Sequence, residues 1–498
     1  VHLRKPPPVA CLAAASASAL LLTACFPSGG DTAAADEEGR IAVAMMQPPR
    51  SALSPLTDDA FKLSRWSTAE TLVVLDEVGD PQPGLATDWT QVDETTWTFT
   101  VRDGVTFHDG TELTADVAAH SLEYAAQASP KPRILDGVEL GVEAEGDTVT
   151  VTTAEADPLV PQRLSSPQLS ILAESAYEGD TVSPVGTGSG PFELVEVNGT
   201  TSARLDRYDG YWGEAALAPG IDVSFVPDGT ARAAALRTGE AHIVEAVPTS
   251  QAALLDQELI TEVPMPRTNT LYLNTQDGPF TDPGLRAAAR DAIDRQELVD
   301  GVYEGRADAA EGLLGPALPW AADRPERPEA TGAADPDGAA VTLATFTDRA
   351  ELPEVATVLE QQLEDAGFEV EQVVREYANI EEDALDGEFD AFILSRATVL
   401  DSGDPAAYMT SDFSCEGSFN IAQLCDEEVD AALEEAERAP AGDERRAAIL
   451  EAEAAVLATD AAIPMLHERV IQGDAANLAD SAKDPRERLL VTPRTRLN

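Results

Sequence analysis

Lysine is almost missing from this chain. Lys5, Lys62, Lys131 and Lys483 are all there are, so nearly all of the 33 basic side chains are Arg. Against them stand 90 Asp and Glu, which leaves a formal net charge of -57 over 498 residues. Such a surface repels phosphate backbones and anionic headgroups, which excludes nucleic acid as a partner. The imbalance reads as a solvated acidic exterior. Histidine is confined to five scattered positions, and aromatics make up 5% of the residues. After the first two dozen residues no apolar run is long enough to span a bilayer. At 43% apolar the chain is not disordered, and its length calls for two or three packed units.

Catalytic patterns are missing as well. Gly186-Thr187-Gly188-Ser189-Gly190 has no Lys after it, so it is not a phosphate-cradling loop, and Ser189 lacks the flanks of a nucleophile elbow. A tight crossing of two chain segments explains these glycines better. His467-Glu468 is not followed by a second His one turn on, which removes the zinc-protease pattern. Asp335, Asp337 and Gly338 imitate part of a calcium loop, but Ala333 and Ala344 stand at its first and last ligand positions. The sequence therefore predicts no enzyme, no cofactor and no metal site.

The chain's opening is informative. Arg4 and Lys5 precede an apolar stretch over residues 9–22, and Leu22-Thr23-Ala24-Cys25 follows. Charge, apolar run and small-residue cleavage site in that order make a secretory signal over 1–24. Its end resembles a bacterial lipobox, which implies cleavage before Cys25, lipid on that residue and a small acidic tether over 25–40. Of the four cysteines, Cys11 leaves with the signal and Cys25 takes the lipid. Cys415 and Cys425 remain, in an exported protein where disulfides persist, and a bond between them is expected.

Strand and helix patterns alternate along the chain, the mark of α/β domains. Ile41-Ala42-Val43-Ala44 suits a buried strand. Trp97, Phe99 and Val101 alternate with polar residues, as do Val149 and Val151. Leu271 to Asn274 and Phe389 to Leu394 are further strands. Helices are expected from Thr281-Asp282-Pro283 through Leu298, along Val355, Leu359 and Leu363 up to Gly367, and around Val429 to Ala436 and Ile449 to Val456. Residues 321–340 read as a long loop.

One stretch carries more than a pattern. Leu85-Ala86-Thr87-Asp88-Trp89, Trp97-Thr98-Phe99-Thr100-Val101-Arg102-Asp103-Gly104-Val105, Phe107-His108-Asp109-Gly110 and Leu113-Thr114-Ala115-Asp116-Val117 follow one another at fixed spacings. Together they resemble the signature of the extracellular solute-binding proteins of family 5, the oligopeptide-, dipeptide- and nickel-binding lipoproteins of ABC importers. Glu70-Thr71-Leu72, Gly190-Pro191-Phe192, Tyr208-Asp209-Gly210-Tyr211-Trp212-Gly213, Asp404-Pro405 and Ala462-Ile463-Pro464 continue the resemblance in order. The resemblance implies a two-lobed α/β fold of the periplasmic-binding-protein kind, class II, with an additional domain in the first lobe. Residues 41–69, 186–275 and 466–498 would form its first domain, 70–185 the additional one and 276–465 the second lobe.

The same resemblance implies a short peptide or other small solute held between the lobes of a monomer and passed to permease and ATPase subunits. A nickel chelate, a peptide-sensing receptor and, least of all, a secreted hydrolase stay open as alternatives. By motif, Asp401 in Asp401-Ser402-Gly403-Asp404-Pro405 would meet the peptide's amine. Ser402, Asp404 and the segment Asp59, Ala60 and Phe61 would line the pocket.

Overall fold

A computed structural model describes residues 39–179, 181–327, 331–399 and 402–498. Four apolar cores organise it. One gathers side chains from Leu271 to Leu466, a second from Leu72 to Ala173, and two smaller ones flank the strand Ile41–Met45. Strands and helices alternate over both lobes, so the architecture is the expected two-lobed α/β fold.

One 11-stranded sheet runs through both lobes. In the first lobe Ile41–Met45 pairs in parallel with Gly220–Phe225 and Ile243–Val244. Ser202–Arg207 and Phe192–Asn198 extend that side as antiparallel neighbours. In the second lobe Ala340–Phe346 pairs in parallel with Glu369–Arg375 and Ala391–Ala397. Two long antiparallel strands, Ile260–Leu273 and Ala462–Asp474, join the halves. Ala462–Asp474 ends against Ile243–Val244 of the first lobe, and Ile260–Leu273 ends against Ala391–Ala397 of the second.

The additional element of the first lobe is a separate four-stranded sheet. Its order is Ala86–Asp93, Thr96–Val101, Thr148–Thr153, Leu140–Glu145. Trp97, Phe99, Val101, Val149 and Val151 point to its core while the threonines between them face out, as their period of two requires. Helix Ala115–Gln127 covers the apolar face. Its first turn is capped by Thr114, whose Oγ1 accepts the Val117 N–H at 3.3 Å.

Several local expectations hold and two need correction. Helix Glu351–Asp365 buries Leu352, Val355, Leu359 and Leu363, and Gly367 follows it at φ +106°. The single helix expected from Asp282 to Leu298 is two, Pro283–Ala292 and Arg295–Gly301. Asp294 makes the break: its carboxylate accepts the N–H groups of Gln296 and Glu297 at 3.0 and 3.1 Å, which caps a new helix. The strand expected from Phe389 starts at Ala391, because the Asp390 carboxylate turns aside to accept the Thr342 N–H at 2.8 Å. Cys415 and Cys425 are joined by a disulfide with Cα atoms 4.3 Å apart. No helix among the described residues is long and apolar enough to cross a membrane.

Candidate functional site

The site begins where the chain changes lobes. Along Ile260–Leu273 the ladder to Ala462–Asp474 slips between Pro264 and Thr268. Pro264 and Pro266 supply no N–H to a ladder, so regular pairing cannot continue through them. Within the first lobe two chain segments cross at the glycines of 186–190. A Cβ on Gly188 would fall on the Thr68 carbonyl oxygen, and one on Gly190 on that of Ser67. The glycines are there because two backbones touch, the crossing their spacing suggested.

Between the lobes lies a cavity of about 1130 Å³. The first lobe contributes Ala60, Ser64, Glu70, Val74, Tyr211 and the tail around Arg486 to Leu489, while Pro316, Ala317 and Pro319 come from the second. Val74 and Leu489 are 44% and 46% exposed, so the walls offer uncovered apolar surface as well as polar groups. Glu70 is the most constrained of these groups. Its carboxylate accepts Ser189 Oγ at 2.8 Å, Trp212 Nε1 at 3.0 Å and Tyr211 OH at 3.1 Å. Burial pushes its pKa up, against the pull of those three donors and of Arg102. Sequence reasoning placed Glu70, Tyr211 and Trp212 among landmarks without a role. Their partnership spans 141 and 142 positions and leaves no local signal.

The turn between Val73–Leu75 and Pro81–Pro83 reaches across to the second lobe. There Trp320 Nε1 donates to the Val78 carbonyl at 3.1 Å, and Arg446 pairs with Asp80 at 2.6 Å. Gly403 lies against Leu75, and Arg486 holds the turn from behind through the carbonyls of Asp76 and Glu77.

The residues expected to line a pocket are placed as follows. Ala60 is on the cavity wall. Phe61 is buried and is not part of that wall. Asp59 is buried beneath it, its carboxylate accepting the N–H groups of Arg50, Ser51 and Leu53 and an ion pair from Lys62 at 2.9 Å. Burial raises its pKa, but the Lys62 and amide hydrogen bonds outweigh that and hold it below the usual carboxylate range. Asp404 is committed in the same way: Arg445 forks onto it at 2.6 and 3.0 Å, and it accepts the Ala406 N–H at 2.9 Å. Ser402 turns inward and shares hydrogen bonds with the Asp404 backbone. Asp59, Ser402 and Asp404 thus spend polar atoms on the framework, and none of the three is on the wall of this cavity. Asp401 and Cys25 lie outside the described residues.

On the second lobe Arg267 and Arg396 stand on paired strands, and Arg349 follows the strand Ala340–Phe346. Arg349 pairs with Glu468 at 2.7 Å, and Arg396 forks onto the buried Asp412 at 2.7 and 2.8 Å. Arg267 gives Nη1 to the Ser395 carbonyl at 3.0 Å.

Comparison with known proteins agrees with this geometry. The glutathione-binding protein GsiB of Salmonella paratyphi A is 28% identical over 304 residues, 57% of this chain and 59% of that protein. The match thus spans about three fifths of the curated relative's length. The crystal structure of a nickel ABC transporter protein from Bacillus halodurans superposes with a TM-score of 0.80 at 26% identity, over 92% of this chain and 100% of that one. The periplasmic binding protein DppA from Helicobacter pylori, in complex with the peptide STSA, superposes at 0.70 with 22% identity over 92% and 98% of the two chains, a likeness of fold. Residues 80–420 match the model of the bacterial extracellular solute-binding proteins, family 5 Middle. The chain belongs to the bacterial extracellular solute-binding proteins of family 5.

Proposed function

We propose that this protein captures a short peptide or peptide-like solute between its lobes and delivers it to an importer's permease. The observation that carries the reading is the cavity of about 1130 Å³ with walls from both lobes, taken with the paired strands that cross between the lobes. Lobes joined by two strands can rock about them and enclose a solute. A cavity of this size leaves room for a few residues and for bridging waters, which permit varied side chains. Anchored through a lipid on Cys25, the protein would work outside the cytoplasmic membrane, binding and releasing its ligand without altering it.

A second reading, capture of a metal chelate, draws on the likeness to the nickel transporter protein. Among the described residues no group of three His, Cys, Asp or Glu could hold a metal ion, so a metal would arrive inside its own chelator. Melting curves with pooled di- to pentapeptides, glutathione and nickel–histidine separate the readings. Ligand at a hundred times its Kd stabilises the fold by about 2.7 kcal/mol, a shift of several degrees. We expect it with peptides or glutathione. A shift with the chelate alone moves the assignment to metals, and none with any of them removes the transport reading.

A further inference from the structure

Most charged groups on the cavity wall are satisfied by their own surroundings. Asp76 accepts the N–H groups of Val78 and Asp80, and Asp484 those of Arg486, Arg488 and Leu489, so both fold back on their own turns. Lys483 pairs with Asp474, Arg486 donates to the carbonyls of Asp76 and Glu77, and Arg488 donates to Ser165. Glu77 stands exposed to water.

Glu70 differs from all of these. Its three donors, Ser189, Tyr211 and Trp212, are neutral side chains from other segments, and among the described residues no cation pairs with it. Arg102 pulls on it only through space, since that guanidinium lies 4.4 Å above the Trp212 ring and donates to the Gly84 carbonyl at 3.1 Å. Neutral donors orient a charge without cancelling it. The two carboxylate oxygens are also used unequally: Oε2 accepts Ser189 and Trp212, while Oε1 accepts Tyr211 alone. A carboxylate offers about four lone-pair sites, so Oε1 keeps an acceptor position next to the Tyr211 side chain. Glu70 and Tyr211 are both on the cavity wall, whereas Ser189 and Trp212 stand behind it.

Apolar surface completes this part of the cavity, from Ala69 and Pro191 on the first lobe and Pro316 and Pro319 on the second. An oriented carboxylate, a neighbouring aromatic ring and apolar walls suit an ammonium or guanidinium carried on an aliphatic stem. The field of a protein with a net charge of -57 draws cationic solutes toward it as well. We propose that Glu70, with Tyr211 beside it, recognises a basic side chain of the ligand, so that peptides bearing lysine or arginine are the preferred class. The proposal rests on the peptide reading above, and its test separates the two.

The probes are the tripeptides Lys-Ala-Ala, Ala-Lys-Ala and Ala-Ala-Lys and the same three with norleucine for lysine, which keeps the stem and drops the ammonium. Binding is read by thermal shift and titration calorimetry. Wild-type protein should bind the best lysine peptide at least tenfold more tightly than its norleucine counterpart. Glu70→Gln should bind the two alike, at the norleucine level. That variant can keep the local hydrogen bonds, its carbonyl accepting Ser189 and Trp212 and its amide donating to the Tyr211 oxygen. Glu70→Asp draws the charge back by one methylene and should lose part of the preference. Equal binding of the two sets by the wild type overturns the recognition and leaves the peptide reading standing. So does a lysine preference that survives in Glu70→Gln. A loss in that variant that is equal for both sets also overturns it, since both carry the same α-amine. Should Glu70→Gln fail to fold, the wild-type comparison and Glu70→Asp still decide, an undiminished preference in the latter counting against Glu70. Failure of both sets to bind the wild type removes the peptide reading and this recognition with it.

Discussion

His467 shows what burial does to one ionisable side chain here. It lies on the crossing strand Ala462–Asp474, 3% exposed, with Nδ1 2.9 Å from Thr268 Oγ1. Thr268 spends its only hydroxyl proton on the Leu313 carbonyl at 2.6 Å, so the imidazole must be the donor and carries its proton on Nδ1. Burial, helped by Arg324, pushes the His467 pKa down to about 4 from an ordinary value of 6.5. Between those two values the unfolded chain binds a proton that the native protein refuses. The stabilisation is therefore complete above about pH 6.5 and is lost as pH falls toward 4, by roughly 3 kcal/mol. His467→Gln should flatten the dependence of melting temperature on pH across that window, and an unchanged slope would contradict the assignment. Asp59 and Asp404 teach a related lesson. The family resemblance put both near the ligand, and the donors they meet here, Lys62 and Arg445, could be matched to them only in three dimensions.

At the scale of elements, the bridging turn between Val73–Leu75 and Pro81–Pro83 ties the first lobe to the second. Besides apolar contacts of Leu75 and Val78, it makes one indole hydrogen bond to Val78 and one ion pair, Arg446 with Asp80, in which both side chains are partly screened from water. A pair of that kind contributes about 1 kcal/mol at most. Arg446→Ala should release bound ligand about three- to fivefold faster in stopped-flow measurements while leaving association nearly unchanged. Unaltered release would mean that the turn merely rests on the second lobe. Elements of this size were partly legible. The period of two in Thr96–Val101 and the stripe of Glu351–Asp365 both reported their buried faces. The break at Asp294 was not, because the same apolar spacing continues through it and only the backbone shows the side chain capping a second helix.

For the whole molecule the dominant quantity is charge. With 90 acidic against 33 basic side chains, the compact state works against its own repulsion. Many of the arginines are tied into ion pairs with exposed or half-exposed carboxylates, as with Arg40 between Asp206 and Asp222, and the excess acid is left to water and counterions. Screening that repulsion should raise the melting temperature steadily as sodium chloride increases from about 0.05 to 0.5 M, as the Debye length shrinks below about 5 Å. A flat response would show that the acidic residues are too far apart, or too well hydrated, to oppose folding.

The sequence by itself determined the alternation of strands and helices, the threonine cap of helix Ala115–Gln127, the glycine crossing and the resemblance that predicted two lobes. These depend on neighbours a few residues apart, or on spacings that survive as motifs. Only the tertiary structure decided that Glu70 meets Ser189, Tyr211 and Trp212, that Lys62 and Arg445 hold Asp59 and Asp404, and that Arg267 bonds the Ser395 carbonyl. A charge is matched or unmatched according to what lies within about 4 Å of it, and residues that close in space can be hundreds of positions apart in the chain.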